Sequence, residues 1–232
     1  MGEKSNVHSG HRKRLKAKFL KNQLDEFEQH EALELLLYYA VPRKDTNQLS
    51  HKLLDRFGSI SAVLDAPIDS LIETGLTQNS ALLLKLTPQI SRLYLEDKHN
   101  NADKTVEFDT VGSKLLKKFI GRDYEAVVLL LMDAKQKEVF CGVISKGSVS
   151  ACDLYIRKII EHAVLYNSSY AIIAHNHPSG IALPSGEDII ATKLVFDTLE
   201  LINVRLLDHI VVADNDYVSM AQSGILREVF GE

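Results

Sequence analysis

The stretch of the chain richest in chemistry runs from 171 to 188 and reads AIIAHNHPSGIALPSGED. An apolar run ends there in two histidines. In extended backbone, residues two apart share a face of the strand, so His175 and His177 aim their imidazoles together while Asn176 faces away. Pro178 and Gly180 stop the strand and turn the chain, and Ser185 opens the next helix with Asp188 in its first turn. A carboxylate is thereby offered back toward the histidine pair. Two neutral imidazoles and one carboxylate make three protein ligands for a catalytic zinc ion, with a fourth position open to water. Such a site performs hydrolysis, and a carboxylate must still take the proton of the attacking water and pass it on. Glu125, at the mouth of the apolar run 126–132, is the candidate, with Glu161 and Glu187 as competing acids.

Each part of this pattern has a purely structural counterpart. Ser185-x-x-Asp188 is also the capping-box pattern of a helix start. A His-x-His pair on a strand can be hydrogen-bonded core or surface. The conjunction argues for a site: both histidines, the turn, the serine and the acid fall within 175–188. His209 lies alone in the apolar run 206–210, where a histidine is usually satisfied core. Together with Asp208 it could instead support a ligand from behind.

The elements that must position these residues are legible in the periodicity. From Gly10 to Leu95, apolar residues recur at three- and four-residue steps (Leu33, Leu36 and Leu37; Leu49, Leu53 and Leu54), broken by turn signals at Pro42, Gly58 and Pro67. Four or five short helices are expected. The stretch 95–104 is almost free of apolar residues and is read as a linker between a helical domain, 1–98, and a second domain, 105–232. Beyond it, a helix near 113–119 is followed by strand-like runs at 126–132, 139–144, 170–174 and 204–212. Helices fit between them at 154–166 and 187–199. This mixture predicts an α/β (α+β) sheet domain covered by helices.

The 232 residues are 45% hydrophobic and 25% charged, the balance of a globular protein, which excludes disordered and collagen-like classes. No apolar run approaches the roughly 20 residues of a membrane span, and the N-terminus lacks a signal-peptide core, so no membrane contact and a cytoplasmic location are expected. Cys141 and Cys152 are too few for a disulfide framework and read as small core hydrophobes. The net charge of −4 divides unevenly: residues 1–100 hold 14 Lys and Arg against 13 Asp and Glu, and residues 101–232 hold 13 against 18. Seven basic residues lie between Lys4 and Lys21, which either solvate a helix face or contact a polyanion.

The site residues resemble the motif of the JAMM (MPN-type) metalloproteases: an upstream Glu, then His-x-His, seven residues, Ser, two residues and Asp, the seven being 178–184 here. The wider wording, HNHPSG, PSGED and LLDHIVV, together with GHRKRL, HEALELLLYYAVPRKDTN and RFGSISAVL, is similar to the bacterial RadC family, named as DNA repair proteins. The resemblance covers nearly the whole chain. It implies a JAMM/MPN mixed-sheet domain behind a small all-α domain, one zinc ion per chain on His175, His177 and Asp188, Glu125 as general acid/base, and Ser185 as donor to the tetrahedral oxyanion. It further implies hydrolysis of an amide bond, peptide or isopeptide, in an unidentified peptide or protein substrate. The family's usual Pro-Arg-Glu is replaced by Ile156-Arg157-Lys158.

The region 59–86 resembles a helix-hairpin-helix, whose Gly-apolar-Gly turn presents N–H groups to a phosphate. Gly75-Leu76-Thr77 lacks the second glycine, and no Lys or Arg occurs between Arg56 and Lys85, so the hairpin reads as degenerate. Weak, non-specific DNA contact through the basic N-terminus is the expectation. The rival readings are a repair factor that binds DNA through the helical domain and an MPN scaffold without turnover.

Overall fold

The fold is that of a computed structural model, which describes residues 7–42, 45–100, 106, 108–147, 152–178 and 180–230. Lys4, Arg43, Lys44, Ser150, Ser179 and the 101–104 part of the expected linker lie outside the described residues. The chain divides into two compact units between Ser91 and Arg92.

The first unit is helical: α1 (Val7–Asn22), α2 (Gln29–Leu37), α3 (Asn47–Phe57), α4 (Ile60–Asp65), α5 (Ile68–Glu73) and the start of α6 (Gln78–Asn100). Leu33, Leu37, Leu53, Leu71 and Leu84 meet in its core with no exposed surface. The punctuation works as the residue types require. Gly58 ends α3 at φ +89°, and Ser59 caps α4 by accepting the Ala62 amide. In the hairpin, Gly75 takes φ +103° whereas Thr77 keeps an ordinary φ, and Thr77 Oγ1 accepts the Ser80 amide at the start of α6. Thr77 therefore serves as a cap where the resembled motif has glycine.

Helix α1 is packed on this unit rather than extended from it. Leu15 is 3% exposed, and the Glu34 carboxylate, itself 1% exposed, accepts hydrogen bonds from Tyr38 and Asn47 and pairs with His11. Arg12 donates to the Val41 carbonyl at 3.0 Å, and Lys18 pairs with Glu31. Among the described residues the unit has six helices where four or five are expected, because α4, at six residues, is too short to show a repeat of its own. Helix α6 also continues through 95–100, the first part of the expected linker. Glu96, Asp97 and Lys98 lack apolar content but are compatible with helix, so low hydrophobicity there marks exposure.

The second unit contains α7 (Phe108–Leu116) with a 3-10 turn (Lys117–Phe119), β1 (Ala126–Met132), β2 (Glu138–Lys146), α8 (Cys152–Leu165), β3 (Tyr170–Asn176), α9 (Gly186–Glu200), β4 (Arg205–Ala213), β5 (Asp216–Ser219) and α10 (Ile225–Phe230). The sheet order is β2-β1-β3-β4-β5; β3 and β4 run parallel across the α9 crossover, and the other neighbours are antiparallel. Every residue of β1 is buried, as its unbroken run AVVLLLM demands of a strand covered on both faces.

Alternation along the strands divides the core. Val127, Leu129, Leu131 and Ile173 meet Ile159, Ala163, Val195 and Leu199 from α8 and α9. On the other face, Val128, Leu130, Ile172 and Ile210 meet Val111 and Leu115 from α7. A Cβ on Gly112 would stand 2.1 Å from the Tyr217 ring, so only glycine lets α7 lie this close to β5. Cys141 packs partly buried against the second face, where burial pushes its thiol up to about 11; the Cys152 side chain lies outside the described residues. Among the described residues, no helix is long and apolar enough to cross a membrane.

Candidate metal centre

The site forms where β3 ends. His175 is the last-but-one residue of the strand, His177 follows it, and both lie on the face covered by α9. Their Nε2 atoms are 2.9 Å apart. Asp188 reaches them from the first turn of α9, with Oδ1 3.1 Å from His175 Nε2 and Oδ2 3.4 Å from His177 Nε2. The three side chains are the one such cluster among the described residues whose ligand atoms lie close enough to share a metal ion. His175 and Asp188 are closed off from solvent, whereas 15% of the His177 side chain is exposed, so access is from the His177 side.

The donor set fits a cation. His177 Nδ1 lies 2.9 Å from the Ile181 carbonyl, which can only accept; Nδ1 therefore carries the hydrogen of the neutral ring, which leaves Nε2 as the nitrogen that can bind a cation. The Asp188 carboxylate is a second acceptor aimed at the same point. Burial works against its charge, but the adjacent His175 and the Ser185 hydroxyl and amide outweigh burial and hold it well below the usual carboxylate range. Ligands about 2.0–2.2 Å from a tetrahedral centre stand roughly 3.3–3.6 Å from one another, close to the separations found.

Ser185 and Asp188 realise both readings of their spacing at once. Ser185 caps α9 by accepting the Asp188 amide at 3.1 Å, and its own amide and hydroxyl donate to Asp188 Oδ2 at 2.7 and 2.6 Å. The capping box thus fixes the carboxylate that faces the histidines.

Glu125 precedes β1 and is half-buried. In the β1–β3 ladder Val127 pairs with His175; two residues past the ladder, the same register puts Glu125 opposite His177, on the histidines' face of the sheet. Its carboxylate is outside the ligand cluster. Of the competing acids, Glu161 pairs with Arg157 on the exposed surface of α8, and Glu187 is exposed beside Asp188. Lys158, at the position of the family's usual acid, donates to the Ile144 carbonyl and ties α8 to β2.

Three features stand behind the histidines and Asp188, of which the sequence raises one, support from His209. Asn176, which faces away from the metal side, accepts the Ala126 amide at 2.8 Å and donates to the Tyr124 carbonyl at 3.1 Å, bracketing Glu125. His209 Nε2 lies 2.8 Å from His175 Nδ1, and His209 Nδ1 lies 2.5 Å from Thr192 Oγ1 on α9. Burial, reinforced by the nearby His175, lowers His209 well below the usual imidazole value. The third is an irregularity in the β3–β4 ladder. Ala171 pairs with Leu206 but Ile172 with Asp208, so β4 carries an extra residue there. That bulge reverses the alternation and turns His209, rather than Asp208, toward His175. Asp208 instead accepts from Ser219 Oγ and the Ala221 amide, where β5 leads into the loop beyond.

A mixed sheet with two histidines at a strand end and an aspartate at the next helix start defines a JAB/MPN-type domain, a class in which some members are metallohydrolases. A model of the RadC-like JAB domain matches residues 106–225, and the chain belongs to that family. It is 32% identical to a UPF0758 protein of Fusobacterium nucleatum, over 97% of this chain and 100% of the relative. A UPF0758 protein of Burkholderia cenocepacia is 34% identical over 84% of this chain and 77% of its own length, and one of Bordetella bronchiseptica 33% over 84% and 88%.

Proposed function

We propose that this RadC-like protein is a zinc-dependent hydrolase of amide bonds, peptide or isopeptide, acting on a peptide or protein substrate in the cytoplasm. The observation that carries the reading is the convergence of His175 Nε2, His177 Nε2 and the Asp188 carboxylate in a pocket closed on all but the His177 side. A zinc ion held there supplies Lewis acidity and lowers the pKa of water to about 7. The protein's own groups do the rest. Glu125, across from His177 on the same face, takes the proton of the attacking water and returns it to the leaving nitrogen. Ser185 turns its hydroxyl from Asp188 Oδ2 to the oxyanion when substrate enters. The carboxylate in the Glu125 position favours this reading over a scaffold without turnover.

The test compares zinc-loaded parent and Glu125→Gln protein on a peptide library, counting new N-termini by mass spectrometry. The parent should generate cleavage products and the variant should lose roughly 10²- to 10⁴-fold in rate while keeping its metal. Equal product counts in the two samples would contradict the assignment.

The basic face of α1 supports, in addition, a weak non-specific contact with DNA. Four of its charges, Lys13, Arg14, Lys16 and Lys21, are exposed, whereas Arg12 and Lys18 are held by partners within the helical unit.

A further inference from the structure

We infer that Thr192 and His209 are positioning residues of the metal centre: together they fix which nitrogen of His175 carries its hydrogen, and so keep His175 Nε2 free to bind a cation. The inference rests on the zinc reading of the site. It follows from the direction in which a chain of four buried groups can donate.

The chain starts at the Asp188 backbone carbonyl, 2.6 Å from Thr192 Oγ1. A carbonyl has no hydrogen to give, and two oxygens 2.6 Å apart need one between them, so the single Thr192 hydroxyl hydrogen points there rather than to His209 Nδ1, or to Met220 Sδ at 3.7 Å. Thr192 Oγ1 can then only accept from His209 Nδ1 at 2.5 Å, which puts the His209 hydrogen on Nδ1. His209 Nε2 is left as an acceptor, and His175 Nδ1, 2.8 Å away, must donate to it. The hydrogen of neutral His175 is thereby on Nδ1 and its Nε2 is bare. His177 reaches the same state through the Ile181 carbonyl. Both imidazoles thus present lone pairs toward Asp188, one anchored by a loop carbonyl and the other by a relay that begins on the backbone of the third ligand.

The relay is closed to water. Thr192 has no exposed surface, His209 is 1% exposed and His175 has none, so no solvent molecule can substitute for a missing joint. Removing the Thr192 hydroxyl frees His209 to carry its hydrogen on Nε2. His175 would then have to accept at Nδ1 and carry its own hydrogen on Nε2, the atom the cation needs. A hydroxyl that touches neither imidazole ligand therefore controls metal affinity.

The experiment uses the full chain and zinc alone. Zinc dissociation constants are measured by chelator competition for the parent, Thr192→Val, Thr192→Ser, His209→Phe and His209→Gln, with circular dichroism to confirm folding. Thr192→Val and His209→Phe should bind zinc about 10- to 100-fold more weakly. Thr192→Ser, which restores the hydroxyl, and His209→Gln, which restores an acceptor facing His175, should recover most of the loss. Independently of any variant, long-range proton–nitrogen spectra of the zinc-loaded parent, labelled with ¹⁵N-histidine, should give His209 as the Nδ1–H tautomer. An Nε2–H tautomer at His209, or equal zinc affinity in Thr192→Val and Thr192→Ser, would overturn the inference while leaving the metal site standing. A parent chain that binds no zinc would overturn the reading of the site itself.

Discussion

Asp188 Oδ2 accepts hydrogen bonds from both the amide and the hydroxyl of Ser185, at 2.7 and 2.6 Å, while the Asp188 amide returns a bond to Ser185 Oγ at 3.1 Å. The helix cap and the carboxylate that faces the two histidines belong to the same pair of residues. Ser185→Ala should therefore cost about 1 kcal/mol of stability through the lost cap and weaken zinc binding without abolishing it. Thermal denaturation with and without zinc checks both. An unchanged midpoint in both conditions would mean that the cap contributes nothing to holding the ligand.

Asn176 sits between the two histidines but serves the neighbouring strand, bonding the Ala126 amide and the Tyr124 carbonyl on either side of Glu125. Asn176→Ala leaves a buried amide unpaired, which costs about 1–3 kcal/mol. The variant should keep zinc, since no ligand is touched, and lose turnover as Glu125 loses its bracket. Zinc content and peptide cleavage measured on one preparation separate the effects; loss of zinc alongside activity would place Asn176 with the metal instead.

Much of the second unit is legible because its signals are local. The run 126–132 predicts a strand and is β1 with the same ends, since an unbroken apolar run admits few alternatives. His175 and His177 share a face by strand geometry alone. The sequence offers His209 and Asp208 together as support for a ligand but not which of them faces His175, because a bulge between Leu206 and Asp208 reverses the alternation that sequence reading assumes. Thr192 was invisible for another reason: a threonine inside a helix has nothing to distinguish it until its i−4 carbonyl and a histidine from another strand converge on one oxygen. Strand β5 escaped because four residues give too little alternation to read.

DNA contact, if carried by α1, should be weak and salt-dependent. Four exposed charges, at about 0.9 per phosphate contact, give a log–log salt slope no steeper than about −4. Fluorescence anisotropy with duplex DNA at two salt concentrations should find this slope, and replacement of Lys13, Arg14, Lys16 and Lys21 by Gln should abolish binding. A Gly75→Ala variant should bind like the parent. Binding that depends on Gly75, or that selects a sequence at physiological salt, would move the interaction to the hairpin.

The central claim is a metal ion held by His175, His177 and Asp188, and elemental analysis of the purified full-length chain tests it most directly. The account predicts one zinc per chain in the parent and in Glu125→Gln, and none in the His175→Ala, His177→Ala double variant. Metal-free parent protein after zinc loading, or the same zinc content in the double variant, would contradict it.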